Sequence, residues 1–179
     1  MQDKIKQQFA KLQQELDDYT SKYVEDDFSL KLSHHKKITE LLERRDRIIR
    51  EEFTPEELNE FYSRVFANFD PLREFFPLKD DQSVDFSFLK FIKAEYLDNF
   101  KMKVVLELHE NEYVENTVLE KTIYLFEQEP ETTKIIWKNE KGNCPLFDFF
   151  ENEDDDFEAF DILYEFYVDM LFLAEMESE

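Results

Sequence analysis

Three histidines, one cysteine and 44 carboxylates are the side chains of this 179-residue sequence with the chemistry to bind a metal or move a proton. His34 and His35 are adjacent, so on a helix they point about 100° apart. His109 and Cys144 stand alone, and no CxxC or HxxxH spacing occurs. Surface histidines and no metal are the expectation. A calcium-loop register can be laid from Asp154, with Asp156, Glu158 and Glu165 as oxygen ligands. Its sixth position is Ala159, where the turn needs glycine, and its eighth is Asp161, where an apolar residue packs. It reads as a coincidence of acid density. Paired carboxylates can do acid–base catalysis only when a cleft separates their pKa values. With 44 acids, pairing in sequence carries no signal. No serine elbow or Cys/His pair stands out, and with Gly142 as the only glycine there is no phosphate-cradling loop. The expectation is a protein that is not an enzyme and uses no cofactor or small-molecule substrate.

What remains is FDFFENEDDDFEAFDILYEFY, residues 147–167, where acids and rings alternate without one Lys or Arg. Phe157, Phe160, Tyr164, Tyr167, Leu171 and Ala174 recur at helical spacing and are expected to form a buried face. The acids then form the outward face. Ordinary surfaces mix signs, so a one-sign face suits a basic protein partner. The candidate binding residues are Glu151, Glu153, Asp154, Asp155, Asp156 and Glu158, followed by Asp161, Glu165, Asp169, Glu175 and Glu177.

Net charge is −22, distributed unevenly. Residues 1–50 carry 11 basic and 10 acidic side chains, net +1; residues 51–141 carry 11 and 21, net −10; residues 142–179 carry none and 13, net −13. Such acidity opposes direct binding of nucleic acid or anionic membrane. With 20 Phe, 8 Tyr and 42% hydrophobic residues, a packed core is expected rather than an acidic disordered chain. The opening MQDKIKQQF is too charged for a secretory signal, and no apolar run reaches membrane-spanning length. A soluble intracellular protein in a reducing compartment is expected.

Those acids must be carried by folded elements. Ile5, Phe9, Leu12, Leu16, Tyr19 and Tyr23 are spaced 4, 3, 4, 3, 4, an a/d stripe. It loses phase near 25–29 and resumes through Val24, Phe28, Leu32, Ile38, Leu42 and Ile49, with His35 and Arg45 at intervening positions. A break or stutter there explains the shift. A helix of roughly 50 residues is about 75 Å long, more stripe than the rest of the chain can cover. A second copy is the simplest partner, with Leu12, Leu16, Leu32, Ile38, Leu42 and Ile49 as the dimerisation residues. The alternative is a helical hairpin folded at the break.

Thr54 and Pro55 open a helix over 53–69, with Phe61, Val65, Phe66 and Phe69 on one face. Residues 100–109 alternate as a half-buried strand. Residues 118–126, 133–138 and 91–97 read as further strands, with NEYVEN (111–116) as a connector. Helix resumes after Lys141. The fold class is α+β: a long N-terminal dimerisation helix, residues 1–52, then a domain over 53–179 with an antiparallel sheet of about four strands flanked by helices.

In this order the segments resemble the nucleosome assembly protein (NAP/SET) family of histone chaperones. LLERRDRII (41–49) is similar to the end of that family's dimerisation helix, and FYSRVFAN (61–68) to its F-W…N-H-P segment, with Tyr62 for Trp and Phe69 for His. NEYVENTVLEK (111–121) resembles N-P-Y-F-x-N-x-V-L-x-K, with Glu112 for Pro and Val114 for Phe. IIWK (135–138) with Lys141 and Gly142 resembles I-x-W-K-x-G-K, and PLFDFF (145–150) resembles S-F-F-x-F. The resemblance covers roughly residues 40–175. It implies a homodimer on an antiparallel helix pair, an earmuff domain at each end, core histones as partners, and a place in both nucleus and cytoplasm. The long acidic tail and basic accessory hairpin common in the family have no counterpart in this sequence, which puts the weight of charge on the folded domain. Two other functions fit the same acidity: a DNA mimic inhibiting one nucleic-acid-binding enzyme, and a scaffold for a histone-modifying enzyme.

Overall fold

The computed structural model describes residues 3–140, 142 and 144–177. Lys141 of the expected W-K-x-G-K likeness lies outside the described residues. The chain divides into two compact units, Met1–Ile38 and Thr39–Glu179. This packing boundary falls earlier than the end of the first helix, where sequence had placed the domain border.

Helix α1 runs Asp3–Glu51 without a break through 25–29, so neither a hairpin nor an interruption forms there. The apparent stutter is a change of face. Ile5, Phe9, Leu12, Leu16, Tyr19 and Tyr23 are all exposed, from 39% at Ile5 to 77% at Tyr19. Phe28, His35, Leu42 and Ile49, each seven residues from the next, are all buried. Five residues separate Tyr23 from Phe28, or about 140° around the helix, so the two heptad rows lie on different sides. The expected dimerisation set therefore does not share one surface. Leu12 and Leu16 are exposed, Leu32 and Ile38 half-buried, and Leu42 and Ile49 buried. Those last two belong to the Thr39–Glu179 unit, whose core takes them. His35, expected on the surface, is also buried.

In the second unit, helix α2 (Pro55–Asn68) begins with the capping box its sequence foretells. The Glu57 amide donates to Thr54 Oγ1 at 3.2 Å and the Thr54 amide to Glu57 Oε2 at 2.7 Å. Phe61, Val65, Phe66 and Phe69 are buried, with Tyr62 beside them. The short α3 (Asp70–Arg73) follows. Strands β1 (Leu89–Leu97), β2 (Lys101–Leu108), β3 (Val118–Tyr124) and β4 (Glu131–Thr132) form an antiparallel meander in that order. Along β2, buried and half-buried residues alternate without exception. Turns that other chains build with glycine are built here from Gln82, Asn99, Phe100 and Glu127, all at positive φ. Asn99 and Phe100 join β1 to β2, and Phe100 braces edge-on against Phe126 at 5.1 Å between centroids.

Residues 133–138 do not form the expected strand. Their backbone pairs with the connector instead. The Glu115 amide donates to Ile136 O at 2.8 Å and the Lys138 amide to Tyr113 O at 3.0 Å. Asn116 completes the tie: its Nδ2 donates to Lys134 O, and its Oδ1 accepts from the Ile136 amide. With those groups engaged, β4 stops after two residues.

Helices α4 (Pro145–Glu151) and α5 (Phe157–Glu175) close the unit. Helix α5 packs on both α2 and β1, so its buried face is wider than a single stripe. It includes Phe160, Leu163, Phe166, Tyr167, Met170 and Leu173. Phe157 and Leu171, expected inside, are 37% and 46% exposed.

Candidate functional site

The acidic segment is anchored by a cation from another element. Lys121, near the middle of β3, is fully buried. Its ammonium donates to the carbonyls of Phe149, Asn152 and Asp154 at 2.8, 2.8 and 2.9 Å. All three ammonium hydrogens thus hold the end of α4 and the loop between α4 and α5, and the ammonium lies 4.7 Å from the Phe149 ring centroid. Burial pulls the Lys121 pKa down, while Asp156, Asp155 and Asp154 oppose that shift. The acid run that lacks a cation in sequence is therefore served by one 28 residues upstream of Phe149. In the sequence, Lys121 stands out only as the last residue of the NEYVENTVLEK segment. A lone Lys on an inward strand position between Leu119 and Ile123, both buried, was the available signal.

The loop has further internal ties. Trp137 Nε1 donates to Glu151 Oε1 at 3.0 Å, and the Asp154 amide donates to Asn152 Oδ1 at 3.1 Å. Asp156 Oδ1 accepts from the Ala159 amide at 2.9 Å and caps α5. Glu158 lies in the first turn of α5, where a helix favours negative charge. Glu151 and Asp156 therefore spend carboxylate oxygens inside the protein. Glu153, Asp154, Asp155 and Glu158 are exposed. Asp148, absent from the expected set, is half-buried and joins Glu151, Glu153 and Asp154 around an open depression.

The eleven expected acids do not converge on one site. Asp161 and Glu165 are exposed one turn apart on α5, and Asp169 is half-buried. Glu175 and Glu177 are exposed at the far end. Seventeen residues of helix separate Glu158 from Glu175, about 26 Å. The arrangement is a dense acidic knob over 148–158, a sparser acidic row along α5, and a separate terminal pair.

A second polar network ties α1 to α5. Arg45 donates through Nε and Nη2 to Asp46 Oδ1 at 3.0 and 2.7 Å, and through Nη1 to Tyr167 O at 2.6 Å. The Tyr167 hydroxyl donates to Asp46 Oδ2 at 2.6 Å. Burial first, and that bond second, raise the Tyr167 pKa. Arg45 and Asp46 are both buried, so the Arg45-Asp46 pair of LLERRDRII is a packing device. In the connector, Tyr113 sits edge-on to Phe88 and its hydroxyl donates to Asp85 Oδ2 at 2.9 Å. Burial would raise the Asp85 carboxyl, but bonds from Ser87 and Tyr113 outweigh it and hold the pKa below the ordinary value. Cys144 is buried, and burial pushes its thiol pKa up, away from a reactive thiolate. His34 and His109 are exposed, and no group of three metal-ligating side chains occurs among the described residues. Nor is any helix among them long and apolar enough to cross a membrane.

No protein-family model matches the chain. An uncharacterized protein of Encephalitozoon cuniculi, ECU01_0210/ECU01_1400, is 36% identical over 157 residues, covering 88% of this chain and 85% of its own length. Solved nucleosome assembly proteins share the fold. That of the malaria parasite is 20% identical with a TM-score of 0.51, over 96% of this chain and 90% of the other. Nucleosome assembly protein S of Plasmodium falciparum is 20% identical with a TM-score of 0.52, over 94% and 98%. Nucleosome Assembly Protein 1 of Plasmodium knowlesi is 19% identical with a TM-score of 0.51, over 96% and 91%. At these identities the likeness establishes architecture: a long first helix, then a four-stranded antiparallel sheet with helices. The chain belongs to the same family as the Encephalitozoon cuniculi protein and has the nucleosome assembly protein fold.

Proposed function

We propose that the protein is a histone chaperone, a non-enzymatic binder that masks core histones through its acidic folded surface and assists nucleosome assembly and disassembly. The observation that carries this reading is the acidic knob over 148–158, held in one shape by Lys121 with no exposed cation of its own segment to neutralise it. Free histones meet DNA phosphates indiscriminately. A folded acidic surface offers their Lys and Arg weaker, salt-screened contacts that DNA displaces. The contact residues in this reading are Glu153, Asp154, Asp155 and Glu158 first, then Glu151, Asp161, Glu165 and Asp169. Asp156 contributes mainly as a cap, and Glu175 and Glu177 form a separate patch.

The exposed row from Ile5 to Tyr23 is, in the same reading, the seam for a second copy of the chain. Two copies carry a net charge of −44, twice −22. The partners are core histones and the second copy, without direct contact to nucleic acid, membrane or small molecules, in both nucleus and cytoplasm.

The test is a variant with Glu153→Gln, Asp154→Asn, Asp155→Asn and Glu158→Gln, which leaves the Trp137 bond and the α5 cap intact. Its melting temperature should hold or rise slightly as self-repulsion falls. Its affinity for core histones should drop, with a shallower salt dependence. Affinity equal to wild type across a salt titration would remove the knob as the binding surface.

A further inference from the structure

Helices α2 and α5 leave a groove of about 340 Å³ between them, away from the acidic knob. Phe53, Phe61, Leu171 and Ala174 supply its apolar lining, and Glu57, Glu60 and Glu175 its acids. The one cation in its wall is Arg64, already bonded to Glu60 at 2.8 Å. Large apolar side chains concentrate at this end of α5: Leu171 is 46% exposed, Phe172 66% and Met176 42%. The last turn of α5 contains no basic residue. Helix carboxyl ends attract cations, and here Glu175 and Glu177 deepen the negative potential. Apolar surface rimmed by three carboxylates and one cation fits one kind of occupant. It must offer apolar side chains to the floor and cations to the rim.

We propose that this groove docks a short amphipathic helical segment bearing Lys or Arg, presented by the basic partner as a second contact beside the acidic knob. Helix-in-groove binding of this kind is read through apolar anchors one turn apart. The identity of the partner rests on the chaperone reading; the groove and its chemistry do not. Leu171 is the anchor contact, since it is both in the lining and half in solvent. Glu175 is the charge contact, because it caps nothing and pairs with no cation among the described ion pairs. Glu57 is excluded as a probe because it closes the α2 capping box.

The full-length protein is titrated with a fluorescent Leu/Lys peptide whose leucines follow helical spacing, and with a scrambled peptide of the same composition. The patterned peptide should bind and the scrambled one bind far more weakly. Leu171→Ser should weaken the patterned peptide roughly tenfold without moving the melting temperature. Glu175→Gln should weaken it a few-fold and reduce its salt dependence. The four-substitution knob variant should bind the peptide like wild type. Equal binding of both peptides, or no effect of Leu171→Ser, overturns the groove. So does a Leu171→Ser protein that sediments as a smaller species, because the groove is then a copy-to-copy contact. If wild type fails to bind core histones yet binds the patterned peptide with the Leu171 dependence, the chaperone reading falls and the groove stands.

Discussion

Residues 3–23 of α1 and residues 157–175 of α5 both place aromatic and aliphatic side chains at helical intervals, yet they treat them in opposite ways. In α1, Phe9, Leu12, Leu16, Tyr19 and Tyr23 face solvent within the single chain. In α5, Phe160, Leu163, Phe166, Tyr167 and Met170 are buried. Charge runs the other way: residues 1–50 balance at +1, while residues 142–179 reach −13. The near-neutral region leaves its apolar row over 5–23 exposed in the single chain, and a balanced charge would not oppose close approach of a second copy. The acidic region spends its apolar surface on its own core, which fixes the charges in place. Periodicity alone does not separate these uses. What surrounds the helix does.

The largest expected effect breaks this contrast directly. Leu42→Asp or Ile49→Asp places a charge in the core of the Thr39–Glu179 unit, and should unfold it or cost several kcal/mol. Leu12→Asp with Leu16→Asp should leave the main melting transition near wild type while sedimentation shifts from dimer to monomer. Equal losses of melting temperature from both pairs would erase the distinction between the two faces of α1.

Next in size, Phe160→Ala should cost about 3–5 kcal/mol, the range for emptying a buried ring site. Phe157→Ala, at a 37% exposed ring, should cost under about 1 kcal/mol. Urea denaturation of the two variants reads the difference, and comparable losses would mean that α5 sits a turn away from its described face.

Lys121→Met leaves three carbonyls without their shared donor. A loss of about 2–4 kcal/mol is expected, together with faster amide exchange confined to residues around 149–156. Wild-type exchange in that loop would show that the ammonium does not organise it.

The smallest effect is pH-dependent. Because the folded Asp85 pKa lies below its ordinary value, its contribution is present above the ordinary carboxylate range and fades as pH falls through the folded value. Asp85→Asn should therefore cost about 1–2 kcal/mol near neutrality, and the gap to wild type should narrow below about pH 4. A constant gap across that range would assign the loss to packing rather than to the charged bond from Tyr113.

Much of the fold was legible because it rests on local rules. The Thr54-Pro55 start, the alternation along β2, the β3 run and the α+β order each follow from neighbours in sequence. Residues 133–138 do not make the expected strand because their backbone groups pair with Asn116 and the 113–115 backbone. On α5 the expected stripe holds in part: Phe160, Tyr167 and Ala174 are buried, but packing on both α2 and β1 centres the core face nearer Leu163, Phe166 and Met170 and leaves Phe157 and Leu171 partly exposed.

By itself the sequence determined where the charge lies, which helix types form and that two heptad rows exist on α1, since composition and periodicity are properties of the chain. Only the tertiary structure decided that those rows occupy different sides, that Leu42 and Ile49 belong to a core, and that the acidic loop is held by a lysine from β3. Burial and three-way hydrogen bonding depend on residues that meet in space, and no spacing along the chain records that meeting.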